Sequence, residues 1–419
     1  MAQLQQKQPA SFLNGHVAPV LTLENQDWML ASGSEDKTCR IWDIRTNRVH
    51  KALTGFESSV TTTAFTPADP HTIYVGSGDK IYTFDLRMES LILNTTLSTK
   101  VYEGAEDEIN QIQINHRATY LAACDDAGDV RVLDLKSHKW MRPLERKHEN
   151  IAMAIRFVPK KELQAISGGM DKQIVAWDFY KRRATQSIST DNLQPDGVQP
   201  KQLFNPPFVH SIAVHPYGTR AAVGLGDGSV QFLHTPDDPP TAPTTSGEGD
   251  CTTIKSSTPL KKSKKQSASD RSEGWTIGAR LVDAHSGPIA TIEYAGFDPN
   301  WLITSSGNGS IAVWDDQEAR YESMKRQQLV EQSLKKAQQV PSRQEHEQTQ
   351  EQVAIPYGRP LRPLLEFKAA GVFERVNCIS TSRCLMVGEN NRDKLLFVAG
   401  TYPRIGDKKL QGRIALYQL

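Results

Sequence analysis

The chain has 419 residues, which is long for one ordinary core, and its 38% hydrophobic content is low for a globular protein, so polar insertions beside a folded core are expected. Its 49 Lys and Arg balance 48 Asp and Glu, and this near-neutral charge argues against a dedicated nucleic-acid or membrane-surface binder. The five cysteines include no C-x-x-C pair, which argues against a disulfide framework or a zinc site.

Residues 1–15 are polar and lack the apolar core of a signal peptide. No stretch of the sequence is apolar enough to span a membrane. We therefore expect an intracellular protein, cytoplasmic or nuclear or both, that has no membrane attachment.

A strand-turn-strand cassette recurs along the chain. In residues 30–45 an apolar strand and small residues lead to Asp36, and Trp42-Asp43 follows six residues later, while residues 163–179 repeat this frame. Seven copies, some degenerate, end at Asp43, Asp85, Asp134, Asp178, His234, Asp315 and Gln418. The first spacings are close to the roughly 40–45 residues of one four-stranded propeller blade, and the later ones are longer. Because each copy also alternates apolar and polar residues, the sequence predicts an all-β, seven-bladed β-propeller with two long polar insertions.

The spacing divides the chain into successive segments. They are blades one to five with an N-terminal closing strand (10–235), a Ser/Thr/Lys-rich insertion (236–274), blade six (275–317), a Gln/Glu-rich insertion (318–355) and blade seven (356–419). The first insertion is too polar to offset its ordering entropy, so we expect disorder there. The second is rich in helix formers and is expected to be helical, either as a solvated helix or as a partner-binding helix. Residues 10–14 are expected to pair onto the last blade.

Histidines precede several of the cassettes. A buried chain of polar groups must be satisfied internally, so such a histidine is expected to bond the turn aspartate of its own blade. This structural network is predicted to comprise His16, Asp36, His148, Asp171, His210, Asp227 and His285. We expect no catalytic residue among them.

The sequence lacks the common motifs of catalytic and metal sites. The sequence contains neither G-x-x-x-x-G-K-[ST] nor H-E-x-x-H, and no cysteine has metal-ligand spacing with a histidine. The expectation is a protein that is not an enzyme and that needs no cofactor and no metal.

Basic residues follow the first three cassettes at the same position. Arg45, Arg87 and Lys136 each lie two residues after the terminal aspartate of their copy. At the end of a blade strand they point toward one rim of the ring, where guanidinium groups suit docking to a protein. Alternatively, each arginine bonds its own strand-end Asp. The predicted partner-binding set is Trp42, Asp43, Arg45, Asp85, Arg87 and Lys136.

A second basic feature lies in the first insertion. Lys261, Lys262, Lys264 and Lys265 form a cluster that can serve as a nuclear import signal, contact nucleic acid or remain a solvated charge run.

The cassettes resemble WD repeats over the entire chain. The W-D-x-R and F-D-x-R endings resemble the docking box of substrate receptors of cullin-4 ubiquitin ligases, in which the arginine rim binds the adaptor called damage-specific DNA-binding protein 1. Residues 108–110, 121–129, 202–206 and 210–212 resemble the WD repeat-containing protein 53 group, whose members are regarded as candidate receptors of this kind. The resemblance covers roughly residues 15 to 235, and the chain departs from the group mainly in its longer insertions.

Three functions follow from these features. The leading hypothesis is a substrate receptor that docks on the ligase adaptor and holds an unknown substrate protein. The second is a general assembly scaffold in chromatin, trafficking or ribosome work, with no ligase link. The third, direct nucleic-acid binding, is disfavoured because the net charge is only +1.

Overall fold

The computed structural model describes residues 7–191, 205–238, 274–321, 363–382 and 395–419, apart from positions 283, 370–372, 374 and 405–406. The basic cluster at 261–265 and nearly all of both predicted insertions therefore lie outside the described residues. Residues 316–321 form one short helix at the start of the second insertion.

Seven sheets form the fold, each sheet is one blade, and every described strand pair is antiparallel except one at the outer edge of blade one. The predicted seven-bladed β-propeller is confirmed. The innermost strands of consecutive blades contact one another in order, and the innermost strand of blade seven contacts that of blade one, so the ring is closed.

The strands are numbered along the chain. After β1 (Ser11–Asn14), blade one has β2 (Val20–Gln26), β3 (Met29–Ser34), β4 (Cys39–Asp43) and β5 (Arg48–Thr54). Blade two has β6 (Val60–Thr66), β7 (Asp69–Ser77), β8 (Lys80–Asp85) and β10 (Lys100–Glu103). Between β8 and β10 the chain forms β9 (Ile92–Asn94), which joins the sheet of blade one, and a 3₁₀ turn (Thr95–Leu97). Blade three has β11 (Ile109–Ile114), β12 (Tyr120–Asp125), β13 (Val130–Asp134) and β14 (Lys139–Trp140). Blade four has β15 (Ala152–Phe157), β16 (Gln164–Gly169), β17 (Gln173–Asp178) and β18 (Arg183–Ser189).

The remaining blades contain the insertions. Blade five has β19 (Val209–Val214), β20 (Arg220–Leu225), β21 (Val230–His234) and β22 (Thr276–Leu281). Blade six has β23 (Ile289–Tyr294), β24 (Trp301–Ser306), β25 (Ser310–Asp315) and β26 (Leu365–Lys368). Blade seven has β27 (Arg375–Thr381), β28 (Leu395–Arg404) and β29 (Asp407–Gln418), with β1 as its outer strand.

The alternating strand direction creates two faces. If the strands of a blade are called a to d from the centre outward, the a–b and c–d connections lie on one face, here the CD face, which includes residues 44–47, 86–91, 135–138 and 179–182. The b–c and d–a connections lie on the opposite DA face, which includes residues 15–19, 35–38 and 147–151.

Both long insertions leave from the CD face, because each joins strands c and d of a single blade. β22 pairs with β21 and so belongs to blade five, whereas the cassette spacing had placed it in blade six. Likewise β26 pairs with β25 and completes blade six, not blade seven. The sequence division at 275 and 356 was displaced because an outer strand that follows a long insertion is adjacent in the chain to the next blade.

The N-terminal closing strand pairs as expected. Ser11 lies opposite Leu416 and Asn14 opposite Arg413, so the two ends of the chain share one sheet. Leu13 is buried against Phe397 and Ile414, and Arg413 Nε donates to Asn14 Oδ1 at 3.0 Å. The N-terminal strand β1 therefore covers the outer edge of β29, so the edge of the last strand in the chain is not left open.

Close contact between blades depends on glycine in strand b. A Cβ atom at Gly33 would lie 2.4 Å from Cγ1 of Val60, and one at Gly168 would lie 2.1 Å from Cγ1 of Val209. In each case the contacted valine begins strand a of the next blade. Only a residue without a side chain permits this approach.

Candidate functional site

Blades one and four each contain a complete buried network. His16 Nδ1 lies 2.9 Å from Asp36, its Nε2 lies 2.8 Å from Ser32 Oγ, and Trp42 Nε1 donates to the same hydroxyl at 2.8 Å. His148, Asp171, Ser167 and Trp177 repeat this arrangement. The histidine lowers the pKa of Asp36 to about 2, against the opposing effect of burial. These groups bond one another on the DA face and hold its turns in place.

Blade six has a neutral variant of the network. His285 Nε2 lies 2.7 Å from Thr304 Oγ1, which also accepts from Trp314 Nε1. Ser310, not an aspartate, lies 2.6 Å from His285 Nδ1. Burial without a carboxylate lowers the pKa of His285 to about 4.

The prediction for blade five is wrong. His16, His148 and His285 each lie four residues before strand a, whereas His210 lies within strand a, so Asn205 occupies the equivalent position. Asp227 pairs instead with Arg280 of strand d, at 2.5 Å, with side-chain exposures of 3% and 1%. Arg280 Nε also donates to Ser229 Oγ, which itself donates to Asp227. In blade five the buried guanidinium of Arg280 therefore pairs with the turn aspartate, as histidine does in blades one and four.

Arg45 lies on the CD face with its guanidinium half-exposed. Its Nε and Nη2 donate to the two carboxylate oxygens of Asp43 at 3.0 and 2.7 Å, and its guanidinium lies 4.4 Å from the ring centre of Trp28. The side chain of Arg45 remains 49% exposed. The pair lowers the pKa of Asp43, chiefly through the hydrogen bond from Arg45.

Arg87 repeats this geometry in blade two. It donates to Asp85 at 2.8 and 3.0 Å, and its Nη2 also lies 3.2 Å from Asp69. The side chain is 58% exposed. Both arginines thus bond their own strand-end aspartates, as the alternative prediction held, and both still present a guanidinium edge to solvent.

The row continues into blades three and four. Lys136 is exposed, and Asp134 accepts from its backbone N–H at 2.8 Å. In blade four the equivalent residue is Tyr180, whose side chain is 81% exposed. Tyr180 was not among the predicted site residues, because a search restricted to basic residues after the aspartate passes over it.

Trp42 cannot contact a partner, which corrects its assignment to the predicted docking set. It is only 2% exposed and its indole N–H is bonded to Ser32. Asp43 and Asp85 are mostly covered as well, since each carboxylate is bonded by its own arginine. The surface residues of the predicted set are therefore Arg45, Arg87 and Lys136.

A buried charge cluster joins the starting points of the two insertions on the CD face. Arg220 Nη1 donates to Asp316 at 2.6 Å, and Asp316 is fully buried and also accepts from Tyr294 at 2.9 Å. Arg320 in the short helix donates at 2.7 Å to Asp238, which lies at the start of the first insertion. Burial raises the pKa of Asp316 despite the two arginines. In the sequence, the only sign of this buried cluster is Asp316, the second aspartate after Trp314.

No group of three or more His, Cys, Asp or Glu that could hold a metal ion occurs in the described ranges. Within the same described ranges, no helix is long and apolar enough to cross a bilayer.

Comparisons with known proteins agree with the fold. The family model for the WD domain, G-beta repeat, matches residues 7–43 and 279–315. The chain is 33% identical over 233 residues to WD repeat-containing protein 53 homolog of Dictyostelium discoideum, covering 52% of this chain and 62% of that protein. It is 24% identical to human Protein NEDD1 over 44% of this chain and 28% of that protein, and 27% identical to Ribosome biogenesis protein YTM1 of Debaryomyces hansenii over 41% and 38%.

Each of these alignments spans less than two thirds of the relative's own length. The family-model matches nevertheless end at the cassettes of blades one and six. Together with the seven closed sheets and the buried His-Ser-Trp networks, they show that this chain folds as a seven-bladed WD-repeat β-propeller.

Proposed function

We propose that this chain is a non-enzymatic, intracellular protein-interaction scaffold that docks through Arg45, Arg87 and Lys136 on the adaptor of a cullin-4 ubiquitin ligase, damage-specific DNA-binding protein 1. The single observation that carries the proposal is the repeated geometry of Arg45 and Arg87. Each guanidinium is fixed by two hydrogen bonds to an aspartate of its own blade and yet is about half-exposed.

Fixing a guanidinium in advance lowers the cost of binding. An arginine that is already held by Asp43 or Asp85 loses little conformational freedom when a partner arrives. Since Nε and Nη2 of Arg45 are engaged, its Nη1 is left for a carbonyl or carboxylate of the partner. Arginine is also among the residues most often found at interface hot spots.

Exposed apolar side chains occur in the same two blades as the arginines. The short strand β9 extends the sheet of blade one by parallel pairing with β5. Leu91 just before this strand and Ile92 within it are 70% and 61% exposed, and Val49 of β5 is 39% exposed. Exposed apolar side chains and fixed arginines together have the mixed character of a protein-docking surface.

The test is recovery of the adaptor with the full-length chain that carries Arg45→Ala and Arg87→Ala. We expect adaptor binding to weaken by about tenfold for each arginine, as for an interface hot spot. The matched control is Lys181→Ala with Arg183→Ala, which removes two basic residues from the c–d connection of blade four and the start of its strand d, on the same face. Adaptor recovery that is equal for the two double variants would exclude docking through the D-x-R arginines.

The alternative is a general assembly scaffold with no ligase link. It is favoured by the relatives, whose names include a ribosome biogenesis protein as well as the WD repeat-containing protein 53 homolog. The same measurement separates the two functions, because a scaffold of this kind would bring down other proteins in amounts that the arginine substitutions leave unchanged.

A further inference from the structure

The near-zero net charge conceals a local excess of positive charge on the CD face of blades three and four. On the CD face, four connections and the strand ends beside them, at 115–120, 134–140, 158–163 and 178–183, expose seven cations: Arg117, Lys136, Lys139, Lys160, Lys161, Lys181 and Arg183. None of the carboxylates in these four connections, all of which the structure describes, is classed as exposed. We call these seven residues the basic CD surface.

The carboxylates of the same connections are engaged locally. Glu162 pairs with Arg117, and Asp178 is 3.3 Å from Lys181. Asp134 accepts the backbone N–H groups of Lys136 and Ser137. Five of the seven cations consequently form no ion pair within the described part of the chain.

The opposite face of the same blades is mixed in charge. The d–a connections that flank blade three expose Glu106, Asp107, Glu145 and Glu149 beside Arg142, Arg146 and Lys147, and Lys147 lies 3.3 Å from Glu106. A balanced total charge therefore does not argue against an anionic ligand on the CD face, because a ligand responds to the local field.

The inner connections of blades three to five form one continuous floor for this surface. Asn115 donates to the backbone carbonyl of Glu162, and Gly218 lies against the carbonyl of Pro159. Lys160 lies 5.2 Å from the ring centre of Tyr217, which is 60% exposed. Tyr180 at the outer rim is 81% exposed and makes no ring contact with the described residues.

We propose that the basic CD surface, together with Tyr180, binds single-stranded nucleic acid. Lysine is depleted from protein–protein interface cores, whereas its compact ammonium group suits phosphate, and lysine supplies most of the unpaired cations here. An exposed aromatic ring offers a stacking face to an unpaired base. The surface consists of loops and strand ends and presents no helix to a duplex groove, which favours a single strand. This proposal does not depend on adaptor docking, because the two surfaces share only Lys136 and the substitutions that test this one leave Arg45, Arg87 and Lys136 unchanged.

The experiment measures fluorescence anisotropy of labelled oligouridylate, oligodeoxythymidylate and polyglutamate peptide with the full-length chain over a series of salt concentrations. We expect either nucleic acid to bind with an affinity that falls steeply as salt rises, and the ratio of the two affinities reports any preference for the ribose. Lys161→Glu with Arg183→Glu should weaken binding by roughly tenfold or more and reduce the salt slope by about 1.4, since each lost phosphate contact removes about 0.7.

The matched control places the same charge change on the DA face. Lys147→Glu with Lys368→Glu alters two exposed lysines at that face and should change the affinity much less. Tyr180→Ala should weaken binding by about fivefold or more, the usual effect of losing one stacked base. Equal weakening by the two double variants, no effect of Tyr180→Ala, or polyglutamate bound as tightly as the oligonucleotides would overturn the proposal, the last result in favour of an acidic protein.

Discussion

The replacement of histidine by Arg280 in blade five makes a sharp prediction about stability. Arg280→Ala leaves Asp227, whose side chain is 3% exposed, as a buried carboxylate without its cation. Removing one partner of a buried ion pair costs about 3–5 kcal/mol of unfolding free energy. Arg280 also bonds Ser229, so the substitution leaves a second polar group without its partner. Urea unfolding followed by tryptophan fluorescence should show a midpoint well below that of the unmodified protein.

The control is His210→Ala, which removes the residue that the sequence had placed in this network. His210 lies in strand a and has no hydrogen bond to Asp227, so its loss should cost about 1 kcal/mol or less. The double variant Asp227→Asn with Arg280→Met should recover part of the loss, because no buried charge remains. The assignment of Arg280 fails if its replacement destabilises the protein no more than the replacement of His210.

Three further predictions concern the other networks and the blade contacts. Because the pKa of Asp36 falls from 3.8 to about 2 on folding, its stabilising effect is present above pH 3.8 and is lost as the pH falls toward 2, and Asp36→Asn should flatten that part of an acid-unfolding curve. Folding lowers the pKa of His285 from 6.5 to about 4, so the unfolded chain takes up a proton first and the unfolding free energy falls as the pH drops from 6.5 to 4. The variant His285→Gln should show a smaller fall in unfolding free energy over this pH range. A fall equal to that of the unmodified protein would show that His285 is solvated and does not contribute to it. Gly168→Ala places a methyl group 2.1 Å from Val209 and should lower stability by about 1–3 kcal/mol, whereas a melting temperature equal to that of the unmodified protein would contradict the close contact between blades four and five.

The sequence predicted the features whose interacting residues lie close together in the chain, within or just before one cassette. The spacing of Asp36 and Trp42 is dictated by a short b–c turn and by a tryptophan that must find a buried hydroxyl, so the networks of blades one and four could be read directly. The closing strand could be anticipated for a similar reason, since an apolar pair before His16 has to be covered.

Features that depend on pairing between distant segments could not be predicted in this way. Strand d has no required residue, so β22 and β26 carried no signal that tied them to the blades before the insertions. Arg280 lies on such a strand, 53 residues after Asp227, and no local pattern connects the two. The histidine of blade five was misassigned because only the pairing of β19 with β20 fixes where strand a begins.

The two faces differ in how far the fold fixes their charged residues. On the DA face the b–c turns require an aspartate to bond the histidine and the backbone of the turn, which makes Asp36 and Asp171 part of the fold. The described connections of the CD face in blades three and four contain no such network, and their exposed charged residues are cations.

The CD face also contains few residues that the blade framework requires. Its connections lie outside the buried His-Ser-Trp networks, so a substitution or an insertion there leaves the blade framework intact. Arg45, Arg87, the basic CD surface and the starting points of both long insertions all lie on this face. We therefore expect substitutions of exposed residues on the CD face to alter binding with little effect on stability. Substitutions in the DA-face networks should instead lower stability and have little direct effect on binding.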